Sequence, residues 1–139
     1  MALGEKESGI GMTASIDDGS GAAQVITDDI TNLTISMPRA IQDITGLSLA
    51  GMERLLLLAD FSLGLNGVFN DTANKSHAVF KTVPSQSATQ LRGISVAISG
   101  QTVTAETMPD NYVLPRAPDG AFTWVVNLVN ADGVKPAWS

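Results

Sequence analysis

The sequence predicts a mainly β protein, an antiparallel β-sandwich or barrel with one flanking α-helix over about residues 72–82. Three observations carry this reading. Apolar and polar residues alternate in segment after segment, the mark of half-buried strands. Gly- and Pro-rich turns separate these segments at short spacing. Only one stretch carries a helical period and a plausible cap. The length of 139 residues fits a single domain over 1–139. A chain of that size buries roughly two thirds of its unfolded surface. It contains no cysteine, which removes disulfides, zinc thiolate sites and cysteine nucleophiles.

The elements follow in order. Ile10, Met12, Ala14 and Ile16 alternate with small or polar residues and make a first strand. "DDGSGAAQ" reads as a turn or loop. Leu33, Ile35 and Met37 make a second strand, stopped by Pro38. "RAIQDITG" resumes as a short strand that ends at Gly46. Phe61, Leu63, Leu65, Gly67 and Phe69 give the cleanest strand signal. In "NDTANKSHAVFKTV", Ala73, His77, Phe80 and Lys81 share a helical face, Asp71 or Thr72 is the expected cap, and Pro84 marks the end. Ile94, Val96 and Ile98 form a strand whose hairpin mate is Val103 to Thr107. Phe122, Trp124, Val126 and Leu128 form the last clear strand, after an Asp119-Gly120 turn. Trp124 is expected in the core and Trp138 at the surface. About seven strands result.

One stretch breaks the alternation. "MERLLLLAD", Met52 to Asp60, holds four consecutive leucines. As a helix, it would spread them around nearly the whole circumference. As a strand, it would put them on both faces. Either way both sides need cover, and a two-layer domain covers one face of each element. Two readings stay open: a fully internal element, or one covered by another subunit. On the second reading Leu49, Met52, Leu55, Leu56, Leu57 and Leu58 are subunit-interface residues.

Charge and motifs exclude more than they assign. Net charge is −6; residues 1–60 hold nine acids and three bases, and residues 61–139 five of each. The bases are scattered, unlike a nucleic-acid binder. "MALGEKESG" has no apolar core, so no signal peptide is expected, and no run approaches a membrane span. His77 is the only histidine, and a general base needs a positioned partner. No nucleophile elbow or Walker loop appears. The pairs Asp17-Asp18 and Asp28-Asp29 fit no calcium-loop spacing and read as turn residues. Arg39, Arg92 and Arg116 are expected in salt bridges. No catalytic, cofactor-binding or metal residue is assigned, and no enzyme activity is expected.

The order "LTISMPRAIQDITGLSLAGMERLLLLADFSLGLNGVFN", "SHAVFKTV" and "YVLPRAPDGAFTWVVNLVNADGVKPAW" resembles the major tail tube proteins of long-tailed, siphovirus-type bacteriophages. The carrying parts are Ile41-x-Asp43-x-Thr45-Gly46, the Met-Glu-Arg-Leu block and Gly67-Val68-Phe69-Asn70. A histidine-containing helix, Arg116 to Trp124 and Asp132-Gly133-x-x-Pro136-x-Trp138 complete them. They cover residues 30–138.

The resemblance implies a structural virion protein of the tail, assembled in the host cytoplasm. Its subunits would form hexameric rings whose sheets join into an inner β-barrel. Stacked rings would make a tube that carries the genome. Partners would be other copies of itself and the tape measure, terminator and distal tail proteins. DNA would pass without specific binding, and no membrane insertion is implied. Residues 47–60 would be an inter-subunit loop or short helix, and residues 1–8 a flexible N-terminal arm. An acidic lumen would repel DNA; its candidates are Asp17, Asp18, Asp28, Asp29, Asp43 and Glu53. A tail terminator, a contractile-system inner tube protein and a ligand-binding β-sandwich are the alternatives.

Overall fold

Alternation becomes sheet through most of the chain. The computed structural model describes residues 11–139, so Ile10 and the expected arm at 1–8 lie outside the described residues. Ten strands are described: β1 (Thr13–Asp17), β2 (Ala23–Val25), β3 (Ile30–Ser36), β4 (Arg39–Asp43), β5 (Arg54–Ala59), β6 (Ser62–Val68), β7 (Arg92–Ile98), β8 (Gln101–Val113), β9 (Thr123–Asn130) and β10 (Ala137–Trp138). One α-helix, α1 (Ser76–Phe80), joins them. Eight strands form one antiparallel sheet in the order β2-β1-β7-β8-β9-β6-β3, with β10 also on β8. β4 and β5 pair only with each other.

The long strand β8 serves both halves of the sheet. Residues 101–107 pair with β7, and residues 107–113 pair with β9. Thr107 is shared, facing Arg92 on one side and Asn130 on the other. The sheet therefore curls over on itself. The inward side chains of both halves meet in one core: Ala14 and Ile16 from β1, Ile94 and Val96 from β7, Val103 from β8, Trp124, Val126 and Leu128 from β9, and Leu63 and Leu65 from β6. β2 and β3 are not paired with each other, so the described residues form a sandwich-like curl and no closed barrel. Trp124 is buried as expected, and its indole N–H donates to the Val68 carbonyl at 3.0 Å.

The helix is shorter than the expected 72–82. Asn74 adopts a left-handed backbone (φ 65°), which a helix cannot pass through. Neither Asp71 nor Thr72 caps it. The buried carboxylate of Asp29, 47 residues earlier, accepts from the Ser76 N–H at 2.9 Å and from the Asn70 amide at 3.0 Å. The helix ends against Arg92, whose guanidinium is fully buried. It donates to the carbonyls of Val79 and Asp17, to Gln86 Oε1 and to Thr82 Oγ1. Burial lowers the Arg92 pKa, while the carboxylates of Asp18 and Asp17 oppose that shift. Every hydrogen-bond acceptor of Arg92 is a neutral oxygen, so the expected salt bridge is replaced by a polar socket.

Close backbone approach explains Gly67. A Cβ there would collide with the Asp29 carbonyl, which is backbone and cannot swing aside. Gly67→Ala is expected to cost more than about 2 kcal/mol, because the β3–β6 register must shift. Arg92→Ala is expected to cost about 3 kcal/mol, since it leaves Gln86, Thr82 and two carbonyls without a donor. Urea unfolding of both variants measures this; losses under about 0.5 kcal/mol would contradict the packing account.

Candidate functional site: an exposed apolar arm

β4 and β5 continue the β3–β6 hairpin beyond the core. β3 and β6 pair as far as Ser36 opposite Ser62, and β4 and β5 take up the pairing at Arg39 opposite Ala59. Pro38 lies between them and cannot donate to a ladder. The Asp60 N–H closes the junction on the Pro38 carbonyl at 3.0 Å. Beyond this break the ribbon has no second layer. A two-stranded ribbon is marginal in water without one.

The loop at 44–53 is tied at its base. The Asp43 carboxylate accepts from the Thr45 hydroxyl at 2.6 Å and the Thr45 N–H at 2.9 Å. These bonds lower the Asp43 pKa below the usual carboxylate range. Thr45 Oγ1 also accepts from the Glu53 N–H at 2.8 Å, and Ile44 N–H donates to the Glu53 carbonyl at 2.9 Å. The Ile-x-Asp-x-Thr-Gly step is thus a clamp that fixes how the loop leaves the strands. On the proximal side, Arg39 Nε donates to the Leu57 carbonyl at 2.9 Å.

The leucine block is a strand within this ribbon. It is not a helix: Leu55 faces Gln42 and Leu56 faces Ile41 in β4, with a register shift between Arg39 and Ile41. Leu56 is 57% exposed, Leu57 41% and Leu58 91%, so neither side of the ribbon is covered. Leu49, Met52, Leu55, Ile41 and Leu47 are exposed as well. An internal element is therefore excluded for the single chain. Contiguous apolar surface of this kind marks an interaction site.

Against the proximal end of the arm lies a cleft of about 960 Å³. Leu56, Leu57, Leu58 and Val134 line it, and Arg39 and Lys135 stand on it. Sequence reading missed the contribution of residues 133–135, because a Gly-Val-Lys turn has no period to betray its packing.

The six acidic candidates are not brought together. Asp29 is 6% exposed and holds the helix, so it leaves the set of possible lumen residues. Asp28 is exposed and pairs with Lys75 at 3.8 Å. Asp17 accepts from the Gly93 N–H at 3.0 Å on the outer face of β1. Asp18 closes the β1–β2 turn, held to a pKa of about 2 chiefly by the Ser20 hydroxyl. Asp43 and Glu53 lie at the far end of the arm.

His77 meets aromatic groups. Its Nδ1 is 3.1 Å from the Tyr112 hydroxyl, and its ring centroid is 4.9 Å from that of Phe69. Burial raises the Tyr112 pKa to about 12, so its hydroxyl stays neutral. The arginines 39, 92 and 116 are dispersed over the arm, the core and the loop before β9. Among the described residues, no three of the metal-binding types converge. None of the described helices is long and apolar enough to cross a membrane.

Comparison with solved structures gives end-to-end likeness. A chain in the tail of an empty gene transfer agent particle, refined helically with C6 symmetry, matches with TM-score 0.75 and 19% identity, over 96% of this chain and 98% of that one. A sheath/tube terminator structure of an extracellular contractile injection system matches at 0.73 with 8% identity, over 99% of both chains. The baseplate structure of the anti-feeding prophage gives 0.63 and 14%, over 92% and 91%. No family model and no curated protein matches. The chain thus has a fold found in tail and injection particles.

The clamp yields a test. Thr45→Ala is expected to speed amide exchange at Glu53 at least about tenfold while leaving the melting temperature within about 2 °C, because the loop is exposed. Asp43 has a depressed folded pKa, so its bonds hold above the ordinary carboxylate range and are lost as pH falls through the lowered value. Carboxyl NMR titration should place Asp43 below its unfolded counterpart; a normal midpoint would count against the clamp.

Proposed function

We propose that this chain is a non-catalytic structural subunit of a phage-type tail, one that self-assembles into stacked hexameric rings forming a tube for genome delivery. The observation that carries the reading is the β4–β5 arm, which exposes leucines on both sides of a ribbon that has no second layer. A free monomer gains nothing from such surface, and a subunit covered by neighbours does. The end-to-end likeness to chains of tail and injection particles supports the same reading. The fold is shared with a sheath/tube terminator structure at nearly the same TM-score. A terminator therefore stands as the second reading; it would cap a tube and not polymerise.

In the tube reading, Leu49, Met52 and Leu55 to Leu58 are interface residues, and the N-terminal arm would join neighbouring subunits. Partners are further copies and other tail proteins, and the location is the virion tail. DNA would pass along a lumen that repels it, with Asp17, Asp18, Asp28, Asp43 and Glu53 as the remaining acidic candidates.

Negative-stain microscopy with sedimentation of the purified chain tests this. Hollow tubes or six-fold rings are expected at high concentration. A chain that stays monomeric, even with a tail initiator, would refute polymerisation and favour the terminator. Leu56→Asp and Leu57→Asp are expected to abolish assembly while keeping a folded monomer, because both positions already face solvent. Unfolded variants by circular dichroism would return these leucines to the core.

A further inference from the structure

The arm carries complementary surfaces at its two ends. The distal loop displays Ile44, Leu47, Leu49 and Met52, all exposed, between Asp43 and Glu53. The proximal cleft is walled by Leu56, Leu57, Leu58 and Val134 and carries Arg39 and Lys135. One end is an apolar plug with an acidic collar; the other is an apolar cleft with a basic rim. Arg54, beside Glu53, is the one basic residue at the collar and leaves its balance negative. Along β5 the cleft residues Leu56 to Leu58 lie about 10 to 17 Å from Glu53, at roughly 3.4 Å per residue. Within the single chain the loop is exposed and does not line the cleft.

We propose that the 44–53 loop of one copy docks in the cleft between β5 and residues 133–135 of the next copy. The inference rests on the tube-subunit reading and deepens it by naming both sides of the contact. The contact is heterologous, because plug and cleft are different surfaces, and such contacts run on from copy to copy until a ring closes or a filament forms. Burial of the plug supplies the attraction, and opposite charges at the rim fix its orientation. The Asp43–Thr45 clamp fixes the base of the loop before docking, which lowers the ordering cost.

The chain has no native cysteine, so paired cysteines report the contact cleanly. Leu49→Cys with Val134→Cys in one chain, mildly oxidised during assembly, is expected to give a ladder of covalent oligomers beyond the dimer. A ladder that stops at the dimer means reciprocal docking and overturns the head-to-tail arrangement. Polymers without cross-links overturn the docking itself, leaving the tube reading intact. Charge reversal is the second arm. Lys135→Glu is expected to raise the critical concentration for assembly about tenfold, and Glu53→Lys with Lys135→Glu to restore it. Both residues are exposed, so these variants should fold. An unchanged critical concentration, or no rescue, contradicts the rim pairing. A wild-type chain that never assembles fails both readings together.

Discussion

The fold turns on one corner, where Arg92 and Thr107 face each other. Thr107 is the residue at which β8 leaves β7 and takes up β9. Its hydroxyl donates to the Arg92 carbonyl at 2.7 Å. From the same residue the guanidinium reaches the end of α1, the turn at Thr82, the side chain of Gln86 and the last carbonyl of β1. The side chain thus ties the β1–β7 half of the sheet to α1 and the turn after it, while the backbone of the same residue holds the strand that serves both halves. Burying that charge is costly, and its hydrogen bonds offset the cost without a large surplus. What it fixes is geometry, since an apolar replacement would fill space but could not satisfy acceptors arriving from four directions.

That anchoring leaves the arm free. β3 and β6 lie within the sheet, and their side chains obey the one-face rule. At Pro38, one residue past Met37, which still packs on the core, the same ribbon loses its second layer and its alternation together. The ribbon keeps its shape locally, through the Asp43–Thr45 clamp at one end and the Arg39–Leu57 bond at the other. Its leucines stand outside the core cluster. Core packing and the exposed apolar surface are therefore held by different residues, so an arm substitution is expected to leave the core intact.

The same division explains what was legible in the sequence. β1, β3, β6, β7 and β9 were visible because each buries one face, and one-face burial writes a period of two. β5 has no period because both of its sides are apolar, and its strand identity comes only from pairing with β4. β2 and β10, at three and two residues, are too short to show a pattern. The hairpin mate of β7, Val103 to Thr107, is only the first part of β8. It continues because Pro109 sits at a register shift, on a strand whose β7 flank is unpaired beyond Thr107. The helix was drawn too long because nothing in "DTANK" announces that Asn74 turns left-handed. Its true cap, Asp29, is distant in sequence and invisible to local reading. The six leucine and methionine positions could be named from sequence as apolar residues in need of cover, and they are exposed; the cleft that Leu56, Leu57 and Leu58 help to line could not.

The acidic excess then divides into separate uses. Asp29 is spent inside, holding α1, and Asp18 on closing a turn. Asp28 already has Lys75 beside it, although an exposed pair contributes little. Asp43 and Glu53 are the two acids on the arm's distal loop, and they cannot both collar a plug and line a channel. On the tube reading, if they meet the cations of a neighbour, they would no longer be free to line a channel. The candidates left for repelling DNA would then be Asp17, Asp18 and Asp28, of which Asp18 is held in a turn and Asp28 lies beside Lys75. An acid-rich first half of the chain is consistent with either use, so net charge alone does not decide between conduit and collar. The position of each carboxylate relative to the arm does.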